Sequence, residues 1–181
     1  MKSLFILIYM GFFVMTSESI SQNNFSSDSL QFPQVTSENL NGKSFTLPND
    51  FEGKLNLVFI AFIRGQQQQI NTWFPTAQKL KTTYPGFRYY ELPTISRLNP
   101  VSRWFINQGM RSGIRDEEMR SITITLYLDK KEFKQALNIT SEETITLLLV
   151  NDQGNVVWRT TGSWTDEKEQ KMRHVLNTQL D

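Results

Sequence analysis

The apolar positions change period along the chain, and the changes mark out elements. Leu55-Asn56-Leu57-Val58-Phe59-Ile60-Ala61-Phe62 is nearly continuous in apolar residues. Such a run predicts a strand buried on both faces, central in a sheet covered by helices. Upstream, Val35 to Leu40 and Lys43 to Leu47 flank Asn41-Gly42. That dipeptide predicts a hairpin with both turn residues at positive φ. Downstream, Ile70, Trp73, Phe74, Ala77 and Leu80 recur at helical spacing. Pro75 falls inside this helix and predicts a kink, and Tyr84-Pro85-Gly86 stops it. Phe87 to Leu92 predicts a strand limited by Pro93.

Asn99-Pro100 reads as an N-cap and first helical residue. Val101, Trp104, Phe105 and Gln108 then face one way, which predicts a helix packed on the sheet, with Gly109 and Gly113 marking its end. Ile122 to Leu128 is rich in strand formers, and Asp129 can cap a short helix bearing Phe133, Ala136 and Leu137. Thr144 to Val150 predicts another buried strand. Asp152 to Asn155 forms a turn before the return strand Val156 to Arg159. Thr165, Asp166 and Glu167 open a final helix with acidic residues at its positive end, and Met172, Val175 and Leu176 are its apolar stripe. Alternating strands and helices, closed by a hairpin and a helix, predict an α/β protein with three layers, α/β/α, and an N-terminal β-hairpin.

The first residues follow a different logic. Lys2 precedes an apolar run from Leu4 to Met15, then the polar stretch Thr16 to Ser21. This is the pattern of a secretory signal over residues 1–21. It is shorter than the ~20 residues that span a bilayer, with an N-terminal membrane anchor as the alternative. Residues 22–31 are Ser/Asn-rich and read as a flexible lead-in to a domain over 32–181. Export would place the protein in the periplasm or outside the cell. Asn24-Phe25-Ser26 and Asn138-Ile139-Thr140 match the glycosylation sequon, which matters only for a eukaryotic secreted chain.

Composition narrows the chemistry. The chain has 181 residues, a net charge of +1, one histidine and no cysteine. A near-zero charge argues against a nucleic-acid partner. Without cysteine there is no disulfide, no thiolate nucleophile and no thiolate-ligated metal. One histidine excludes a multi-histidine metal site. No cofactor is expected. His174 in the last helix, the acidic Asp116-Glu117-Glu118 and the pair Lys130-Lys131 read as structural or solvated.

Several motifs together resemble the thioredoxin-like superfamily, in its thiol-peroxidase and periplasmic thiol-oxidoreductase branch. They are Pro33, Asn41-Gly42-Lys43, Leu47, Phe51 and Gly53-Lys54, then Asp152-x-Gly154, Val156 to Arg159 and Gly162. The resemblance implies a reactive thiol after the Leu55 to Phe62 strand. Counted back from Pro75, the cysteine pair would fall at Gln67 and Ile70, and a cis-proline near Thr144. None of these positions carries the expected residue. Phe62-x-Arg64, Trp73 and Pro75, with the Asp152 to Gly162 segment, are similar to the mitochondrial ATP synthase assembly-factor family with a thioredoxin-like fold. Trp158-Arg159 stands in the reverse of that family's order.

The resemblance implies a redox-inactive binding or assembly protein rather than an enzyme. Its partner would be a polypeptide, including an association with a membrane complex. Helix N-termini at the carboxyl ends of strands are where open α/β sheets bind ligands. The candidate binding residues are Arg64, Gly65, Gln67, Gln69 and Trp73, with Arg159 and Trp164 near the chain end. The alternatives are a cysteine-independent, glutathione-transferase-like enzyme and a passive subunit of an envelope complex.

Overall fold

The computed structural model describes residues 30–180. The signal segment, most of the lead-in and the Asn24 sequon lie outside the described residues. A two-stranded hairpin opens the fold, from β1 (Val35–Glu38) and β2 (Ser44–Leu47). Five strands form the main sheet: β3 (Leu55–Ala61), β4 (Phe87–Ser96), β5 (Leu126–Leu128), β6 (Thr146–Asn151) and β7 (Val156–Thr161). Their spatial order is β5-β4-β3-β6-β7. β3, β4 and β5 run parallel, whereas β6 and β7 run antiparallel to their neighbours. Every residue of β3 is buried, as expected for a central strand.

Side-chain alternation sends successive residues into two cores. Leu55, Leu57 and Phe59 point to a core completed by α1 (Gln67–Asn71), α2 (Phe74–Thr83) and α6 (Asp166–Leu180). Val58 and Ile60 point to the other core, built with the hairpin, Phe32, Phe51 and α5 (Lys130–Ala136). The three layers and the N-terminal hairpin follow the sequence pattern.

Four local details differ from it. The hairpin loop is longer than a two-residue turn, and of the two turn residues only Gly42 has positive φ, at 84°. The Asn39 side chain folds back to accept from the Asn41 and Lys43 amides and so sets the loop. The kinked helix is two helices, α1 and α2, and Pro75 lies in the first turn of α2, where a missing N–H costs nothing. β4 continues through Pro93. That residue pairs with Ala61 at the end of β3, and Thr94 begins the pairing with Leu126 of β5, so the ladder changes neighbour there. Residues 117–122 form a helix, α4 (Glu117–Ile122), and Asp116 caps it by accepting from the Glu118 and Met119 amides.

The helix α3 (Pro100–Gly113) is the largest departure. Asn99 caps it by accepting from the Ser102 amide, as its sequence predicts, but none of its residues is buried. Trp104 and Phe105, expected to pack on the sheet, are 56% and 64% exposed. The helix lies along edge strand β5, tied by polar contacts. The Tyr127 hydroxyl donates to Asn107 Oδ1 at 2.7 Å, and Arg111 Nε donates to the Leu40 carbonyl at 2.6 Å.

Two turn glycines with positive φ separate backbone cost from packing cost. A Cβ on Gly42 would meet nothing, whereas one on Gly154 would lie 2.7 Å from Pro48 Cγ. Gly42→Ala is expected to cost about 1 kcal/mol from backbone conformation alone. Gly154→Ala adds a clash and is expected to cost about 2–4 kcal/mol. Urea denaturation of the two variants measures the difference.

Candidate functional site

The parallel strands β3 and β4 end at the same edge of the sheet. There β3 runs into a single 3-10 turn, Arg64–Gln66, and then into α1. The chain leaves the ladder at Phe62, so the amides of Phe62 and Ile63 need other acceptors. Gln66 supplies them. Its side chain is buried, and Oε1 accepts from the Phe62 amide at 2.8 Å and the Ile63 amide at 3.4 Å. Its Nε2 donates across the sheet end to the Glu142 carbonyl at 2.7 Å. Three residues on, Gln69 repeats the device. Its Oε1 accepts from Thr144 Oγ1 at 2.8 Å and from the Ile145 amide at 3.0 Å. Ile145 leads into β6, so two glutamines tie the end of β3 to the start of β6.

Gln67 works in the other direction. It opens α1, and its Nε2 donates to Asn71 Oδ1 at 3.2 Å and to Glu91 Oε2 at 3.4 Å. Glu91 is a carboxylate inside β4, only 3% exposed, and strand alternation sets it on the face of Phe87 and Tyr89. Burial pushes its pKa up from the ordinary 4.5 to about 7, and the hydrogen bond from Gln67 offsets only part of this. A carboxyl group that titrates near neutrality therefore lies beneath the position where the fold would hold its first thiol. Ile70, at the position of the second, is fully buried.

The loop on the far side is fixed by charge. The Glu142 carboxylate accepts from Lys130 and, at 2.8 Å, from Lys134, both on α5. Burial alone would raise the Glu142 pKa, but the bonds from the two lysines outweigh it and hold the group below its ordinary value. Arg64, Gly65 and Gln68 are exposed at the rim, and Ile63 is 57% exposed beside them.

The structure therefore brings Arg64, Gly65, Gln67 and Gln69 together at one sheet end. It places the remaining candidates elsewhere. Trp73 is fully buried and has no surface to offer a partner. Its Nε1 donates to the Gly162 carbonyl at 3.0 Å, and its ring meets Trp158 edge-on at 6.4 Å. Trp164 is 37% exposed and sits beside the α1–α2 junction, where its amide donates to Thr72 Oγ1 at 2.8 Å. Its Nε1 donates to Glu169 Oε2 at 2.7 Å. Arg159 belongs to the opposite face. It donates to the Leu137 and Asn138 carbonyls at 3.2 and 3.3 Å, so it satisfies the carboxyl end of α5.

Sequence reasoning missed Glu91 and Ile63. The signal for Glu91 was available as a single acid inside the apolar stretch Tyr89 to Leu92. Among the described residues, no group of His, Asp and Glu is placed to hold a metal ion.

Comparison with known proteins agrees with this geometry. The family described as ATP10 protein matches residues 20–178. No curated protein matches the chain. Among solved structures it is similar to a thiol:disulfide interchange protein from Bacteroides sp., at 19% identity and a TM-score of 0.55, covering 82% of this chain and 90% of that one. It is also similar to BsSco, a member of the Sco family of cytochrome c oxidase assembly proteins, at 13% identity and a TM-score of 0.58, covering 83% and 94%. A third is the exposed lipoprotein thioredoxin Etrx1 from Streptococcus pneumoniae, at 13% identity and a TM-score of 0.51, covering 80% and 99%. At these identities the likeness establishes a thioredoxin-like fold.

The buried carboxyl makes stability depend on pH with a definite sign. Below about pH 4.5 Glu91 is protonated in the folded and unfolded chain alike. Between 4.5 and about 7 the folded chain keeps a proton that the unfolded chain has lost, so stability falls as pH rises. Above about 7 the penalty is constant. Glu91→Gln removes it and is expected to be more stable than the parent by roughly 1–3 kcal/mol at about pH 8, with the gain vanishing near pH 4.5. Urea denaturation at the two pH values measures this. A gain that is the same at both would contradict the assignment.

Proposed function

The chain belongs to the ATP10 protein family, the ATP synthase assembly factors it resembles, and on that premise we propose that it is a redox-inactive assembly factor. It binds a polypeptide at the sheet end around Ile63, Arg64 and Gly65. Residues 1–21 act as the export signal that brings it to its partner's compartment. The partner is a subunit of ATP synthase, held while that subunit is incorporated.

One observation carries the reading. At the positions where the fold keeps its thiol pair, this chain has Gln67 and Ile70, and the neighbouring glutamines are hydrogen-bonded into the scaffold. With no cysteine in the chain, thiol–disulfide exchange is closed. What the old site still presents is a rigid rim bearing an exposed isoleucine and an exposed arginine. An exposed apolar side chain next to an exposed arginine offers a partner a pair that an interface can desolvate together. A rim held by side-chain bonds also pays little ordering entropy on binding.

Gly65 offers a clean position for a test, because a side chain there would meet nothing. A photocrosslinking amino acid at Gly65, in the full chain expressed in its own cells, is expected to capture an ATP synthase subunit. Ile63→Asp with Arg64→Glu is expected to reduce the yield at least about tenfold. The same double change should alter stability by no more than about 0.5 kcal/mol for each substitution, since both side chains are exposed. Unchanged capture in the variant, or adducts lacking any ATP synthase subunit, would contradict the proposal. A passive subunit would tolerate the double change.

A further inference from the structure

Helix α3 carries a face that the fold leaves bare. Val101, Trp104 and Phe105 are 65%, 56% and 64% exposed and recur at i, i+3 and i+4. The two rings meet edge to face with centroids 5.0 Å apart, which makes them one apolar block. The other side of the helix is anchored to β5. The Arg103 guanidinium lies 5.1 Å from the Tyr127 ring centroid, and Thr125 Oγ1 approaches Met110 Sδ at 3.7 Å. A helix held along one side with aromatic residues turned to water is built to be covered by something else.

The charge around it selects the occupant. From Leu92 to Arg115 the chain has four arginines, at 97, 103, 111 and 115, and no acid. The chain as a whole carries only +1. Two of the acids that follow are engaged, and Asp129 and Glu132 lie beside Arg97 alone of the four arginines. Asp116 caps α4, and Glu118 pairs with Lys81 at 2.6 Å. A second copy of this face would bring like charge against like charge. Residues 1–29 contain Lys2 and only Glu18 and Asp28 as acids, too few to complement four arginines. An anionic lipid surface meets both requirements at once. Trp and Phe partition into the headgroup boundary, and arginines within about a Debye length, ~8 Å, are attracted to the anionic lipid.

We propose that α3 docks on an anionic lipid surface, with Val101, Trp104 and Phe105 entering the headgroup boundary. The helix lies in the interface and does not cross it. Among the described residues, no helix is long and apolar enough to span a membrane. This inference is independent of the assembly reading, because it uses a different helix and needs no protein partner.

The lack of cysteine makes the test local. The full chain carrying Val101→Cys is labelled there with an environment-sensitive nitrobenzoxadiazole, and a control is labelled through Lys79→Cys on the exposed side of α2. Each is titrated with phosphatidylcholine vesicles with and without phosphatidylglycerol. Emission from the Val101 position is expected to shift to the blue and rise several-fold with anionic vesicles only, and the Lys79 position is expected not to respond. Trp104→Ala with Phe105→Ala on the labelled chain is expected to weaken the response roughly 30-fold. Membrane binding through Leu4 to Met15 would not move the α3 label by itself, so it does not mimic the result. Equal responses at the two positions, an equal response to neutral vesicles, or none would overturn the proposal. The last outcome would leave the face to an acidic protein surface. A lipid-free dimer abolished by the double alanine variant would assign it to a second copy and overturn the proposal as well.

Discussion

Two glutamine side chains close the end of the sheet, and the arrangement of the site depends on them. A central parallel strand that turns into a helix strands its last amides in a water-poor corner. Those amides must find acceptors or cost about 1–3 kcal/mol each. Gln66 takes the Phe62 and Ile63 amides, and its amide nitrogen reaches the Glu142 carbonyl. Gln69 takes the Ile145 amide. The loop before β6 is therefore fastened to α1 by side chains rather than by a strand ladder. That fastening holds the Glu142 backbone while its carboxylate meets Lys130 and Lys134, and so connects the α1 side of the sheet to α5 on the other side.

The same bonds explain how the fold can persist without its usual chemistry. The sheet end of a thioredoxin-like protein is arranged around a nucleophile at a helix N-terminus. Here Gln67 occupies that place and donates to a buried carboxylate, while Ile70 fills the core below. The corner is an ordinary part of the scaffold, with its polar atoms paired. Rigidity that would have positioned a thiol now positions Ile63 and Arg64 at a solvent-facing rim. On the proposed assembly role, function would move from bond exchange to surface recognition with little change in architecture.

Much of this was legible in the sequence. The order of most elements and the two-faced burial of Leu55 to Phe62 follow from periodicity, whereas the positions of the missing thiol pair are what the family resemblance implies. Period does not say what an apolar face will meet, however. Val101, Trp104 and Phe105 show the same spacing as a core-facing helix, yet β5 is only three residues long, and α3 is received through Tyr127 of β5 and Thr125 just before it. Trp73 was legible as helical and aromatic, but its burial depends on the β7–α6 loop supplying the Gly162 carbonyl. Arg159 is legible as a strand residue near the chain end, but strand register decides its face, and its guanidinium goes to the end of α5. The scaffold role of Gln66 and Gln69 was not legible, because side-chain hydrogen bonds across more than 70 residues leave no local pattern.

Amide hydrogen exchange at Phe62 and Ile145 tests the account most directly, because each of these amides has a glutamine side chain as its acceptor. Both amides are expected to be protected in the parent. In Gln69→Ala the Ile145 amide should lose its protection, and in Gln66→Ala the Phe62 amide should do so, while the β3 interior at Val58 stays protected in each. Fast exchange of these amides in the parent, or unchanged protection in both variants, would contradict it.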